Sequence, residues 1–258
     1  MSQEPISRRS VVYTIPGVDD VIVRRDVPYG DGLVMDLYAT PRSKHAPAVI
    51  IAAGYPDPGF KRFVGCKFKE MGSTVSWARL FAASGFIAIA YENRDPVRDL
   101  AELFRWLRRD AASMGIDQSR IAVWASSGSG SLGLSTLMMD QVRVKCAVLC
   151  TPYTLDLDGT SDIAEASKFG FVNACAGKSV DDLSPDVPLF IARAGQDESP
   201  HLNQALDRFV AAAVRRNLPI TFVNHQTAPH AFDLFYDSET TREIIRQILA
   251  FLQFHLHS

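Results

Sequence analysis

Cysteine is scarce in this chain: Cys66, Cys146, Cys150 and Cys175 are the only four in 258 residues, and no two stand at CxxC spacing. That pattern argues against a disulfide scaffold or a cysteine-ligated zinc site. Cys146 and Cys150 share one face of a predicted strand and read as buried thiols. There is no Asn-x-Ser/Thr acceptor either, so the setting expected is reduced and cytoplasmic. No apolar run approaches the roughly 20 residues needed to cross a bilayer. The opening MSQEPISRRS has no apolar core of the kind a secretory signal carries. Neither charge dominates: 27 Lys and Arg face 29 Asp and Glu, a net of −2. Neither nucleic acid nor an anionic membrane is therefore expected as a partner. The cluster Arg105, Arg108 and Arg109 lies opposite an apolar helical stripe and reads as a solvated face. His225 and His230 have no cysteine or carboxylate cluster at ligand spacing, so no metal is expected, and no motif calls for a cofactor.

What remains is an ordinary globular composition, 47% hydrophobic and 22% charged, with enough chain for a large core. Residues 1–19 show little periodicity and read as an arm over the surface or a partner. Residues 21–27 and 33–38 read as two strands joined through YGDGL, whose Asp-Gly is a hairpin signal. AVIIAA, 48–53, is the continuous apolar run of a strand buried on both faces. A long Gly- and Pro-rich loop follows, and loops of that length in compact domains are functional or disordered.

Strand and helix then alternate to the end of the chain. Helix is expected over 74–83, strand over 86–91, and a helix opening at Asp95-Pro96 that buries Leu100, Leu103, Phe104 and Leu107. Strands at 120–124, 144–150, 188–192 and 220–223 follow, with a helix over 132–139 after the first of them. A later helix turns Leu202, Leu206, Phe209 and Val210 inward, and the last, 239–254, buries Ile244, Ile245, Ile248 and Leu252. This is the pattern of an α/β protein, a mostly parallel central sheet with helices on both faces behind an N-terminal antiparallel hairpin. No repeat or linker divides it, so residues 1–258 are expected to form a single domain. The stretch 151–186 is too long for a simple connection and is expected to form a small cap-like insertion, with a short helix over 163–175.

The chemistry concentrates in IAVWASSGSGSLGL, 121–134, where a β-branched strand breaks into small residues before an apolar helix. A sharp strand-to-helix turn presents a nucleophilic hydroxyl above a parallel sheet. Ser126, Ser127 and Ser129 compete for that place. The turn needs small residues two positions to either side of the nucleophile. Trp124 disfavours Ser126, and Ser129 lies farther from the strand end. Ser127, between Ala125 and Ser129, is the expected nucleophile. His230, in APHAFD after the last strand, is the expected base. Asp197, in RAGQDESP after the strand before it, is the expected acid, and Glu198 beside it is read as exposed. Two backbone N–H groups should face the developing oxyanion. Gly128, after the nucleophile, supplies one, and Tyr55 in AAGYPDPG is the candidate for the other, Gly54 allowing the turn. Phe63, Trp77, Tyr153, Phe169, Phe171 and Phe232 are candidates to line a substrate pocket.

Serine, acid and histidine in that chain order, each past a strand's carboxyl end, resemble the α/β-hydrolase superfamily, in particular its small esterase and dienelactone-hydrolase-like members. The likeness runs from Val27 to the C-terminus and is carried by SRIAVWASSGSG, ARAGQDES and APHAFD. The resemblance implies a Ser127–His230–Asp197 triad that hydrolyses small to medium carboxylic esters through an acyl-enzyme. The elbow reads A-S-S-G-S where the family has G-x-S-x-G, and the oxyanion loop reads A-A-G-Y where many relatives have H-G-G. Dienelactone hydrolases proper use cysteine as the nucleophile, so serine here points to a general serine esterase. A thioesterase, acyltransferase or peptidase on the same scaffold is the nearest alternative reading. A slow or non-catalytic small-molecule receptor that keeps the hydrolase pocket is the second. The N-terminal arm and the long helices are the candidate surfaces of a homodimer.

Overall fold

The computed structural model describes residues 4–139, 143–155 and 166–257. Eight strands form one sheet: β1 (Ile22–Gly30), β2 (Leu33–Ala39), β3 (Ala46–Ile51), β4 (Ile87–Tyr91), β5 (Ile116–Ser126), β6 (Cys146–Cys150), β7 (Leu189–Ala194) and β8 (Ile220–His225). Their order is β1-β2-β4-β3-β5-β6-β7-β8. The hairpin β1–β2 and the pair β2–β4 are antiparallel, and every later pair is parallel. The sequence explains this division. APAVII of β3, IAIAY of β4 and CAVLC of β6 are buried at every position, because helices cover both faces. The edge strands β1 and β8 are mostly exposed or half-buried, with only Tyr29 and His225 buried.

Seven helices lying wholly among the described residues connect or flank these strands: α1 (Asp57–Val64), α2 (Gly72–Ala83), α3 (Pro96–Asp110), α4 (Gly130–Ser135), α5 (Leu202–Arg215), α6 (Phe232–Phe235) and α7 (Glu239–His257). In α3 the Asp95 carboxylate caps the Arg98 N–H, Pro96 fills the first turn, and Leu100, Leu103, Phe104 and Leu107 are all buried. In α7, Ile244, Ile245, Ile248 and Leu252 are buried as the pattern required. Among the described residues no helix is long and apolar enough to cross a membrane, and no His/Cys/Asp/Glu group could hold a metal ion.

Several expectations need correction. The loop after β3 contains α1, whose Pro58 sits in the first turn and whose end is set by Gly65 in the left-handed region. Density in Gly and Pro had hidden a short helix whose proline needs no N–H partner. The helix expected over 163–175 does not reach Cys175, because Gly170 at φ 99° turns the chain and 171–173 is irregular. Residues 156–165 of the expected cap lie outside the described residues. Val210 is half-buried and packs against the core. The helix after β5 starts earlier than expected, at Gly130, and ends at Ser135 in a 3-10 turn, Thr136–Met138. His225 ends β8 rather than following it.

Topology fixes where a site can form. The chain leaves β3 toward β4 on one side and later returns to add β5 on the other, so the order reverses at β3. Crevices at the carboxyl ends of strands open at such a reversal. Ile51 pairs with Trp124 and the Ala52 N–H donates to the Trp124 carbonyl at 2.8 Å, so the loops after β3 and β5 emerge side by side.

Away from that edge a buried ion pair ties α2's approach to the sheet. Lys69, 4% exposed, places Nζ 2.8 Å from Asp26 Oδ1 and 2.9 Å from the buried Asp36 Oδ1. Burial works against the charge, but the two carboxylates outweigh it and hold the ammonium above its ordinary pKa. Lys69→Met would leave the buried Asp36 with only the exposed Arg25, 3.7 Å away, as a counter-charge and is expected to cost about 3 kcal/mol. Urea unfolding measures this, and an unchanged midpoint would refute the coupling.

A second buried polar group makes stability depend on pH. His225 is 2% exposed, with Nε2 3.1 Å from Thr241 Oγ1 and 3.2 Å from Ser238 Oγ. The Thr241 hydroxyl donates to the Tyr236 carbonyl, so Nε2 carries the imidazole proton, and Nδ1 has no partner among the described residues. Burial pushes the imidazole pKa below its ordinary value. The unfolded chain therefore binds this proton first. The stability is present above about pH 6.5 and is lost as pH falls toward the lower folded pKa. His225→Gln keeps a donor without the titration, and its unfolding midpoint is expected to fall less between pH 7 and pH 5 than that of the parent.

Candidate active site

Residue 127 is where β5 stops. Ser126 is extended (φ −131°, ψ 154°), Ser127 turns to φ 49°, and the chain winds through a 3-10 turn into α4. A left-handed serine costs energy that glycine would not, so neighbours must hold it. One that does is Tyr153, whose N–H donates to the Ser127 carbonyl at 3.0 Å. The turn raises Ser127 Oγ above the sheet, 2.8 Å from His230 Nε2.

His230 reaches that point from the loop after β8, and Asp197 from the loop after β7. The two loops are laced together: the Gly195 N–H donates to the His225 carbonyl at 2.8 Å, and the Gln196 N–H to the Ala228 carbonyl at 2.9 Å. His230 Nδ1 lies 2.6 Å from Asp197 Oδ2, and Asp197 Oδ1 accepts the Ser199 N–H at 2.9 Å. The Asp197 side chain is fully buried, the His230 side chain 29% exposed. Burial alone would raise the Asp197 pKa, but the bonds from His230 and Ser199 outweigh it and hold the carboxyl below its ordinary value. An ionised carboxylate only accepts, so Nδ1 carries the proton and Nε2 is left to accept from the Ser127 hydroxyl. Glu198 is exposed. The three residues expected from the sequence are therefore brought into one hydrogen-bonded chain.

Ser129, the rival serine, has another use. Its Oγ accepts the Gly54 N–H at 2.9 Å, inside the protein. A Cβ at Gly54 would stand 2.9 Å from Ser129 Cα, so only glycine lets the loop after β3 come this close to the elbow. The same loop is tied to β4 by Asn93, whose Nδ2 donates to the carbonyls of Ala53 (3.3 Å) and Tyr55 (3.2 Å). The Tyr55 ring packs edge-on against Phe60 and Phe171, with centroids 5.5 and 5.2 Å away. A Cβ at Gly170 would run into that ring. With Gly54's N–H taken, those of Tyr55 and Gly128 have no acceptor among the described residues. Sequence reasoning missed Asn93, whose only signal was a polar residue just past a strand end, and the bonding role of Ser129.

A cavity of about 470 Å³ opens beside Ser127 and His230. Of the expected pocket residues, Phe63, Tyr153, Phe169 and Phe171 line it. Trp77 and Phe232 do not. Trp77 is fully buried, stacked on Phe81 at 5.2 Å, and Phe232 packs under His225, so both are core. Ile6, Phe60, Phe68, Met71, Leu234 and Phe235 complete the apolar wall and were not expected. Ile6 belongs to the N-terminal arm, which lies along the protein's own surface: the Val11 N–H donates to Ser76 Oγ (3.0 Å), and the Val12 N–H to the Asp233 carbonyl (2.8 Å).

Ser129→Ala removes the acceptor of a buried N–H and is expected to destabilise the protein by about 1–3 kcal/mol. Urea unfolding checks it, and a neutral result would mean that water replaces the hydroxyl.

No family model matches the chain, and no curated protein sequence matches it. Its shape, by contrast, is shared with solved structures. An esterase from the hyperthermophilic archaeon Pyrobaculum calidifontis is 21% identical, over 90% of this chain and 85% of its own, with a TM-score of 0.66. A bacterial heroin esterase is 16% identical, over 93% and 86% of the two chains, with a TM-score of 0.71. Esterase B of Lactobacillus rhamnosis is 14% identical, over 93% and 87%, with a TM-score of 0.69. Sheet order, strand directions and these likenesses agree: the chain has the α/β-hydrolase fold.

Proposed function

We propose that this protein hydrolyses carboxylic esters of small to medium size, with Ser127 as nucleophile, His230 as base and Asp197 as the residue that orients it. The observation that carries the reading is the unbroken hydrogen-bonded chain from the Ser127 hydroxyl through His230 to the buried Asp197, at the mouth of an apolar cavity. That the three similar structures are named esterases supports the same class. Every part of the constellation comes from one chain.

In this reaction Ser127 Oγ attacks the ester carbonyl carbon while its proton passes to His230 Nε2. The carbonyl oxygen becomes an oxyanion that the Tyr55 and Gly128 N–H groups receive, each such donor being worth about 3 kcal/mol of barrier. His230 gives its proton to the departing alkoxide, so an alcohol leaves and the acyl group remains on Ser127. Water, deprotonated by His230, then attacks the acyl-enzyme, and the acid is released with Ser127 restored. Asp197 keeps Nδ1 protonated throughout and stabilises the imidazolium that forms.

Ser127→Ala is expected to lower kcat for p-nitrophenyl butyrate by roughly a thousandfold or more. A fluorophosphonate should label the parent protein at Ser127 and leave the variant unlabelled. Full activity in the variant would overturn the assignment.

A further inference from the structure

Asp233 is the one carboxylate among the residues described around the cavity, and no Lys or Arg lines that wall. It stands in α6, three residues beyond His230, and is only 8% exposed. Its Oδ2 accepts the Trp77 indole N–H at 2.8 Å, and no cation pairs with it among the described residues. Burial pushes the carboxyl pKa up, more than the Trp77 bond lowers it. Trp77 needs only an acceptor, which the uncharged amide of an asparagine would supply. An acid with no counter-ion in an apolar wall is costly where a neutral group would serve.

The surroundings supply what a cation needs. Nine aromatic side chains line the cavity, among them Trp124, Phe60, Tyr153 and Phe171, while the Phe235 ring already carries the Arg9 guanidinium 4.7 Å from its centroid. Ring faces attract a positive charge, most strongly when water is excluded, and a carboxylate on the same wall completes its neutralisation. An anionic arm would meet the Asp233 charge with no compensating residue.

We propose that Asp233 and these rings form a site for a positively charged nitrogen, so that the esters this cavity favours carry an ammonium group on one arm. This rests on the ester-hydrolase reading above and names its substrate class. Binding such a group supplies the missing counter-charge.

The test compares acetylcholine with 3,3-dimethylbutyl acetate, in which a neutral tert-butyl group replaces trimethylammonium at nearly the same size. The parent protein is expected to favour the cation in kcat/KM by roughly tenfold. Asp233→Asn keeps an acceptor for Trp77 and removes the charge, and in it the ratio should fall toward one. A merely structural Asp233 would slow both esters alike and leave the ratio intact, which would overturn the proposal, as would equal rates in the parent. The thermal shift of the parent by choline against 3,3-dimethylbutan-1-ol reads the same preference without turnover. If p-nitrophenyl butyrate is not hydrolysed, the ester reading fails, while this shift still decides the cation site: no excess for choline overturns it.

Discussion

A serine held in the left-handed region is the constraint on which the rest of the site depends. At φ 49°, Ser127 turns β5 into a helix within a residue or two, so that its Oγ rises above the sheet and the Gly128 N–H starts the helix beside it. Glycine would adopt that backbone freely, but it has no hydroxyl. The strain, of order 1–3 kcal/mol, persists only because the surroundings over-determine the turn. Tyr153 fixes the Ser127 carbonyl, α4 packs from behind, and the loop after β3 closes the third side. The sheet order makes this possible, since only the strands flanking the reversal bring two loop ends together at such a distance.

Two motif departures explain each other at the point where those loops meet. An outer elbow position carries Ser129 instead of glycine, and the loop after β3 begins with Ala52-Ala53-Gly54. Ser129 Oγ receives the Gly54 N–H, so the extra hydroxyl does not crowd the turn but fastens the facing loop. Glycine then becomes necessary on the other side of the contact, because a side chain at 54 would collide with Ser129. Asn93 completes the strap from β4. With the Gly54 amide consumed, Tyr55 is the next N–H along, and its ring is clamped by Phe171 and the backbone at Gly170.

Periodicity and punctuation made the sheet, the amphipathic helices and the order of Ser127, Asp197 and His230 legible, because each depends on local pattern or on position past a strand end. The serine-rich bend after β5 and the runs AVIIAA and CAVLC needed no tertiary knowledge. What stayed hidden depends on distant pairing. Asn93 is an ordinary polar residue until β4 is known to lie beside β3. Trp77 reads as a pocket aromatic until its indole is seen bonded to Asp233 and stacked in the core. Ile6 is a stray apolar residue in a featureless arm until that arm is found against α2 and α6. Helix α1 escaped because Pro58 and Gly59 are loop signals in sequence but tolerable in a first helical turn.

The segment from His225 to Thr241 joins stability to chemistry at one edge of the sheet. His225 ends β8 and is pinned by Ser238 and Thr241, which lie at the start of α7. Between these anchors the chain must fit both the His230 loop and α6, whose start at Ala231 is itself left-handed at φ 50°. His230 is thus placed by a short span closed at both ends rather than by a free loop, and within that span Phe232 packs against His225. The next residue, Asp233, accepts the Trp77 indole N–H and is one of the residues lining the cavity. Because His230 and the cavity's only described carboxylate share this span, the position of one constrains the other. On the ester-hydrolase reading proposed above, a group bound at Asp233 is held at a fixed place relative to the imidazole, which is what orienting an ester over Ser127 requires.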